Sequence, residues 1–101
     1  MSVKVKICGI TNLPDAIAAA EAGADAIGFM FFDQSPRYIT VADAAKIASA
    51  LPPFVMRVGV FVNPNEELVF RAVAECGLSL LQFHGDETPE FCTQFGLMSM
   101  K

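Results

Sequence analysis

The sequence predicts an α/β fold with a parallel sheet. Strand-like and helix-like segments alternate four times along the 101 residues, and alternation at this interval is typical of βαβ units. Glycine or proline follows the first three helix-like segments, which gives each of them a local stop signal. Neither a GxGxxG nor a GxxxxGK[ST] motif occurs, so the sequence has no signature of a nucleotide-binding sheet.

The first two strand–helix units occupy the first half of the chain. Strands are predicted over residues 3–8 and 26–32, and helices over 14–22 and 41–51. Asn12 and Thr40 precede the two helices, where their side chains can accept hydrogen bonds from first-turn N–H groups. Gly23 and Pro52 follow the helices as stop signals.

The third and fourth units continue the same pattern. Strands are predicted over residues 55–62 and 78–83, and helices over 66–76 and 88–95. Val58 and Val60 mark one face of the third strand, Gly77 ends the third helix, and Thr88 with Pro89 opens the fourth.

Four units leave two architectures open. They would make half of a (β/α)₈ barrel, which usually needs about 250 residues, or a small, doubly wound open sheet. The pattern alone favours neither of them.

Composition excludes several classes of protein. The net charge is −4 and the basic residues are scattered, so we expect no nucleic-acid partner. The three cysteines lack metal-ligand spacing, and we expect neither a disulfide nor a metal site. No apolar run approaches the roughly 20 residues of a membrane helix, and the start has no signal-peptide pattern. We therefore expect a cytoplasmic protein without a membrane partner.

Cys8 is a candidate catalytic residue at the end of the first strand. Alternation places Lys6 and Cys8 on the face opposite Val5 and Ile7, toward the axis of a barrel. Barrel enzymes place their chemistry at this end of their strands. A thiolate could act there as a base or nucleophile, favoured by the ammonium of Lys6. The alternative, a small cysteine that only packs, stays open.

Three further residues are predicted to lie at the same rim. Gln82 and His84 share a face at the end of the fourth strand, and Arg37 lies in the loop after the second. The planar fork of arginine suits a carboxylate or a phosphate. Asn63, after the third strand, joins this group more weakly. A structural histidine and a solvated loop arginine are the alternatives.

Five segments of the sequence resemble the phosphoribosylanthranilate isomerase family, in order and with its spacing. They are KICGIT at 6–11, AGADAIGFMFF at 22–32, SPRYIT at 35–40, LPPFVMRVGVFVN at 51–63 and LLQFHGDE at 80–87. The similarity runs from about residue 3 to 91. It implies the N-terminal half of a TIM barrel over residues 1–95, followed by an atypical or truncated tail over 96–101.

The resemblance also implies an activity, the Amadori rearrangement of N-(5′-phosphoribosyl)anthranilate in tryptophan biosynthesis. Cys8 matches the residue that removes the C2′ proton, Arg37 the residue that holds the anthranilate carboxylate, and Gln82 and His84 positions that line the site. No cofactor is implied, because the Schiff base within the sugar-phosphate substrate is the electron sink. No residue of this sequence matches the family's aspartate acid or its phosphate loops, so we expect the chain alone to be inactive.

A second hypothesis is a catalytically dead half-barrel that acts as a self-associating structural module. With four strands, strands one and four would be open edges, and exposed edges pair with other chains unless they are covered. We therefore expect a homo-oligomer formed through the open sheet edges.

Overall fold

The computed structural model describes residues 4–101 and is an α/β fold, as predicted. Within these residues the strands are β1 Lys6–Cys8, β2 Ala26–Met30, β3 Met56–Phe61, β4 Leu80–Phe83 and β5 Met98–Met100. The helices are α1 Leu13–Glu21, α2 Val41–Ala50, α3 Glu66–Cys76 and α4 Pro89–Thr93. Each helix connects two strands that are neighbours in the sheet.

The strands form one parallel sheet whose spatial order follows the chain, from β1 to β5. The side chain of Lys6 on β1 donates a hydrogen bond to Gln82 on β4. Three strand spacings separate these strands, which is about 14 Å on a flat sheet. The sheet must therefore curve, with Lys6 and Gln82 on its concave face.

Side-chain caps define the beginnings of the helices. The side-chain oxygens of Asn12, Thr40, Asn65 and Thr88 accept hydrogen bonds from backbone N–H groups three residues further along, at 2.8 to 3.2 Å. Such caps satisfy N–H groups that have no partner inside the helix. Gly77 ends α3 in the left-handed conformation, with φ 62°, which a glycine adopts without a steric penalty. The predicted boundaries at Asn12, Thr40, Thr88 and Gly77 are confirmed.

The main core lies between the convex face of the sheet and the helices. A row of phenylalanine rings crosses it, with centroids 5.3 Å apart between Phe31 and Phe61 and 5.7 Å apart between Phe61 and Phe83. Helix α2 contributes Ala44 and Ile47, which are both buried. The favourable free energy of burying these apolar side chains is the main contribution that holds the helices on this face.

A smaller apolar cluster lies on the concave face, where no helix covers the sheet. Ala26, Val58 and Val60 are buried there, and Cys8 and Leu80 pack against them. This cluster is far smaller than the one under the helices. The two faces therefore differ in kind: the convex face is the core, and the concave face is open.

The structure differs from the sequence prediction at both ends of the chain. Strand β1 begins at Lys6, and Val3, where the strand was predicted to begin, lies outside the described residues. No element was predicted over 96–101, yet β5 lies there and pairs with β4. Strand four is therefore not an edge, and that expectation was wrong. Met98–Met100 contains no β-branched residue, so its extended form depends on the ladder with β4 and not on local preference.

The guanidinium of Arg57 closes the carboxyl end of α2. It donates hydrogen bonds to the carbonyl oxygens of Ala48 at 2.7 Å, Leu51 at 3.1 Å and Pro52 at 3.1 Å, and also to that of Val55. The last carbonyl groups of a helix have no partner within the helix. One partly buried side chain therefore satisfies the end of α2 and the turn that leads into β3.

Replacing Arg57 by methionine should lower the free energy of unfolding by about 2 kcal/mol, because several carbonyl groups lose a charged donor. Urea unfolding with an unchanged m-value would measure this loss. The control is Arg71→Met, since Arg71 forms only an exposed ion pair with Glu75, at 2.9 Å. That variant should lose less than about 0.5 kcal/mol. Equal losses in the two variants would contradict the capping role of Arg57.

Candidate active site

The residues predicted to form a site lie at one edge of the sheet, the edge at which the parallel strands end. Cys8 is the last residue of β1, Gln82 lies near the end of β4, and His84 follows it directly. Arg37 lies in the loop after β2. We call this edge, with the loops that leave it, the carboxyl rim. The structure therefore brings all four predicted residues to one rim.

Cys8 lies on the concave face beside a glycine. The register aligns it with Gly28 on β2, where a Cβ atom would lie only 2.7 Å from the Cys8 Sγ. The thiol therefore has its place because residue 28 has no side chain. Cys8 is half-buried and packs against the cluster that contains Val58. It keeps contact with solvent as well as with the apolar face, and its catalytic role stays a prediction.

The other two cysteines have different surroundings. Cys76 and Cys92 are buried, and the Sγ of Cys76 lies 3.5 Å from the carbonyl oxygen of Val41. Burial, with a smaller contribution from the Glu75 carboxylate, raises the pKa of Cys76 to about 11. Burial also raises the pKa of Cys92. Both side chains belong to the core under the helices.

Alkylation should therefore distinguish the three thiols. With a pKa of about 11, only about one Cys76 in a thousand is a thiolate at pH 8, and the thiolate is the reactive form. We expect iodoacetamide to modify Cys8 first and the other two only after unfolding. Peptide mass spectrometry over time measures this order, and a sample in urea shows that all three can react. Modification of Cys76 or Cys92 as fast as Cys8 would contradict the assignment.

Arg37 lies over the residue that follows Cys8. A Cβ atom on Gly9 would overlap Cδ of Arg37 and lie 3.1 Å from a guanidinium nitrogen. Gly9 also has φ 82°, a conformation that other residues adopt only with strain. The backbone conformation therefore favours glycine at position 9, where a side chain would also displace the side chain of Arg37. The exposed guanidinium of Arg37 lies beside the end of β1.

A chain of hydrogen bonds crosses the concave face from Lys6 to His84. The ammonium of Lys6 donates to Oε1 of Gln82, and the amide nitrogen of Gln82 lies at hydrogen-bond distance from Nε2 of His84. Lys6 shares the face of Cys8, as alternation predicted. Its described hydrogen bond, however, joins it to Gln82 and not to the thiol.

The carboxylate of Glu87 joins three parts of the rim. It accepts hydrogen bonds from the backbone N–H groups of Asn63 at 2.8 Å and Gly85 at 2.9 Å, and from Lys101 at 3.0 Å. Only 2% of its side chain is exposed. Burial raises the pKa of this carboxyl, but the hydrogen bonds from the backbone and from Lys101 outweigh it, and the net pKa is below the ordinary 4.5. Glu87 thus holds the ends of β3, β4 and β5 together.

Sequence reasoning missed this role of Glu87, although it lies in the segment QFHGDE that drew attention to His84. Asn63, predicted weakly as a rim residue, belongs to the same support. Its φ is 45°, and its side-chain oxygen accepts a hydrogen bond from the N–H of Asp86 at 2.7 Å. The sequence held one signal for a turn at Asn63, since asparagine tolerates positive φ better than most other side chains do. Its partners Asp86 and Glu87, however, lie more than twenty residues further along the chain.

A cavity of about 320 Å³ lies between the loops that follow β2 and β3. Asp33, Tyr38 and Asn63 are among the residues that line it, whereas Cys8 and His84 are not. The candidate site is therefore the open concave face at the rim and not this cavity.

Two other kinds of feature are absent from residues 4–101. No group of three or more histidine, cysteine, aspartate or glutamate side chains there is arranged to hold a metal ion. None of the helices in this part of the chain is both long and apolar enough to cross a membrane.

Sequence comparison identifies related proteins. A sequence model of the family described as N-(5'phosphoribosyl)anthranilate (PRA) isomerase matches residues 5–98. The N-(5'-phosphoribosyl)anthranilate isomerase of Nitrosospira multiformis is 54% identical over 101 residues, which are all of this chain and 49% of that protein. The Geobacter sulfurreducens protein of the same name is 57% identical over 90 residues, 89% of this chain and 44% of that protein. The chain thus spans about half the length of the relatives it matches.

Solved structures agree with this comparison. Phosphoribosyl anthranilate isomerase from Thermotoga maritima superposes with a TM-score of 0.92 at 47% identity, over 97% of this chain and 49% of that chain. A second structure, with TM-score 0.92, holds reduced 1-(o-carboxyphenylamino)-1-deoxyribulose 5-phosphate. The superposition on half of a barrel enzyme confirms the half-barrel prediction and excludes the open sheet. By sequence and by fold, the chain belongs to the N-(5'phosphoribosyl)anthranilate (PRA) isomerase family.

Proposed function

We propose that this chain supplies the N-terminal half of the active site of an isomerase of tryptophan biosynthesis. The substrate would be N-(5′-phosphoribosyl)anthranilate, and the product 1-(2-carboxyphenylamino)-1-deoxyribulose 5-phosphate. A biosynthetic enzyme of this kind would work in the cytoplasm. The complete site would also need the acid and the phosphate loops of the family, which match no residue of this chain.

The reaction can be written with Cys8 as the base. An acid protonates the furanose ring oxygen, the C1′–O bond breaks, and the nitrogen lone pair forms a protonated, positively charged C1′=N Schiff base. The Cys8 thiolate removes the C2′ proton, and the electrons of the broken C2′–H bond form a C1′=C2′ bond. The electrons of the C=N double bond return to the positively charged nitrogen. The enolamine then gains a proton at C1′ and loses its hydroxyl proton to become the ketone. A general base positioned in this way typically contributes about 10²–10⁴ in rate.

The observation that carries this proposal is the placement of a thiol and a guanidinium at the same end of β1. The thiol of Cys8 faces the concave side of the sheet, and Arg37 lies over Gly9, the next residue. A guanidinium can bind a carboxylate with two parallel hydrogen bonds. An anthranilate carboxylate held by Arg37 would leave the sugar carbons of the same molecule free to reach the thiol. The position of His84 on the same rim fits a polar contact to the ligand.

The activity of a completed barrel tests this function. Residues 1–101 would replace the corresponding half of the Nitrosospira multiformis enzyme, to which they are 54% identical. A fluorescence assay of substrate loss should show turnover by this chimaera and none by the 101-residue chain alone. A folded chimaera without turnover would contradict the proposal. Turnover by the isolated chain, abolished by Cys8→Ala, would show instead that an acid within this half is sufficient.

We also propose that the isolated chain self-associates through its open sheet edges, which are β1 and β5. Met98 on β5 is 77% exposed on the concave face, and Val5 beside β1 is 44% exposed. Unpaired edges next to exposed apolar side chains favour pairing with another chain. Two four-stranded copies would have closed an eight-stranded barrel, but β5 raises the total for a pair to ten. We therefore expect two or more chains to associate through their edges, but we do not expect a pair to close an eight-stranded barrel.

Light scattering at micromolar concentration measures this association. The expected result is a mean mass above the 10.8 kDa of one chain, falling on dilution. A folded species that stays strictly monomeric over the same range would contradict it. In the chimaera the second half covers both edges, so the association should be weaker there.

A further inference from the structure

We infer that Lys6 is a positioning residue, which fixes the proton of His84 on Nδ1 by holding the amide of Gln82. The three side chains come from β1 and from the end of β4 and meet on the concave face. Lys6 acts on His84 in two steps: it fixes the orientation of the Gln82 amide, and the amide in turn fixes the tautomer of His84.

The first step fixes the orientation of the Gln82 amide. An amide side chain has one oxygen, which accepts, and one nitrogen, which donates. The ammonium of Lys6 can only donate, so the group that faces it must be the oxygen Oε1. The amide nitrogen then faces the imidazole of His84. Without the lysine, nothing in this chain of contacts would distinguish the two ends of the amide.

The second step fixes the tautomer of His84. The Gln82 nitrogen carries only donor hydrogens, so Nε2 of a neutral imidazole beside it must accept. The single ring proton then lies on Nδ1. Within residues 4–101 the Nδ1 atom has no hydrogen-bond partner. His84 therefore offers a donor at the rim, suited to an oxygen of a bound ligand.

A role of the Nδ1 donor in binding substrate rests on the proposed function. The assignment of the His84 tautomer does not depend on that function. Lys6 and His84 are both exposed, and Gln82 is only half-buried. Hydrogen bonds and ion pairs at exposed positions contribute little to folding stability. Variants of Lys6 should consequently remain folded, and the effect should be confined to the ring of His84.

Nitrogen NMR of the 101-residue chain tests the inference without any need for turnover. His84 is the only histidine, so its two ring ¹⁵N signals are assigned without ambiguity. At a pH where the ring is neutral, we expect Nε2 at the position of an unprotonated nitrogen and Nδ1 at that of a protonated one. In Lys6→Met the Nε2 signal should move toward the protonated position, because the amide can now turn its oxygen to the ring.

Two further variants make the test specific. Lys6→Arg keeps a donor and should keep the wild-type signals. Lys4→Met removes an equal charge just before the same strand, from a side chain with no described hydrogen bond, and should also leave them unchanged. The inference is overturned if the wild-type ring is protonated at Nε2, or if Lys6→Met leaves both signals in place. If Lys6→Met does not fold, Lys6→Gln replaces it, because a glutamine can turn either its oxygen or its nitrogen toward Gln82 and so no longer fixes the amide.

Discussion

Replacing Cys8 by serine in the chimaeric enzyme is expected to lower kcat by about 10²–10⁴, the typical contribution of a general base. A hydroxyl occupies almost the same space beside Gly28 but is far less acidic than a thiol, so almost none of it is present as the anion that could remove the C2′ proton. The binding groups remain in place, so KM should change much less than kcat. Steady-state kinetics with the fluorescence assay separates the two parameters.

Cys92→Ser is the matched control for this variant. Cys92 is buried in α4, so its replacement should reduce stability while leaving the rate per folded molecule nearly unchanged. Comparison per folded enzyme, with circular dichroism as the measure of folding, removes the effect on stability. If the two variants lose the same small factor, Cys8 is a packing residue, which is the alternative that its half-buried position leaves open.

Replacing Glu87 by glutamine should lower the free energy of unfolding by about 2 kcal/mol at pH 7. Its carboxylate accepts from the N–H groups of Asn63 and Gly85 and from Lys101 in an almost fully buried position. A glutamine has a single acceptor oxygen and adds donors to a site that is already rich in donors. Chemical denaturation at pH 7 measures the loss.

The same variant should also be less sensitive to acid. The pKa of Glu87 is lower in the folded chain than its ordinary 4.5, so folding is favoured by the ionised form. This contribution is fully present above about pH 5 and is lost as the pH falls through the lowered folded value. The stability of the wild type should therefore decline more steeply below pH 5 than that of Glu87→Gln, and the two curves should converge.

Glu90→Gln serves as the control, because Glu90 is an exposed residue in the first turn of α4. It should change the free energy of unfolding by less than about 0.5 kcal/mol and leave the wild-type acid dependence intact. Parallel stability curves for wild type and Glu87→Gln between pH 3 and 7 would show that the carboxylate does not hold the rim together.

The fold could be predicted where local signals are strong. The caps Asn12 and Thr40 and the stop at Gly77 lie within one turn of the boundaries they mark, so neighbouring residues are enough to identify them. Strand β5 lacked such a signal. Met98–Met100 is a strand because it pairs with β4, and that pairing depends on the curved sheet as a whole and not on three residues.

The site shows the same division between local and distant information. The alternation of side chains placed Lys6 and Cys8 on one face. Arg37 and His84 were placed at one rim because each follows the end of a predicted strand. The sequence pattern could not show that Lys6 reaches Gln82, 76 residues further along the chain, since that contact requires the curvature of the sheet. The support from Glu87 was missed for a related reason, because its partners come from the ends of three different strands.

The proposed site is tested most directly by a crystal structure of the chimaeric enzyme with reduced 1-(o-carboxyphenylamino)-1-deoxyribulose 5-phosphate, the ligand held by a related enzyme of this family. We expect the ligand carboxylate on the guanidinium of Arg37, the Cys8 Sγ within about 4 Å of the carbon that corresponds to C2′, and the His84 ring in contact with the ligand. A ligand bound away from the concave face, touching neither Cys8 nor Arg37, would contradict it.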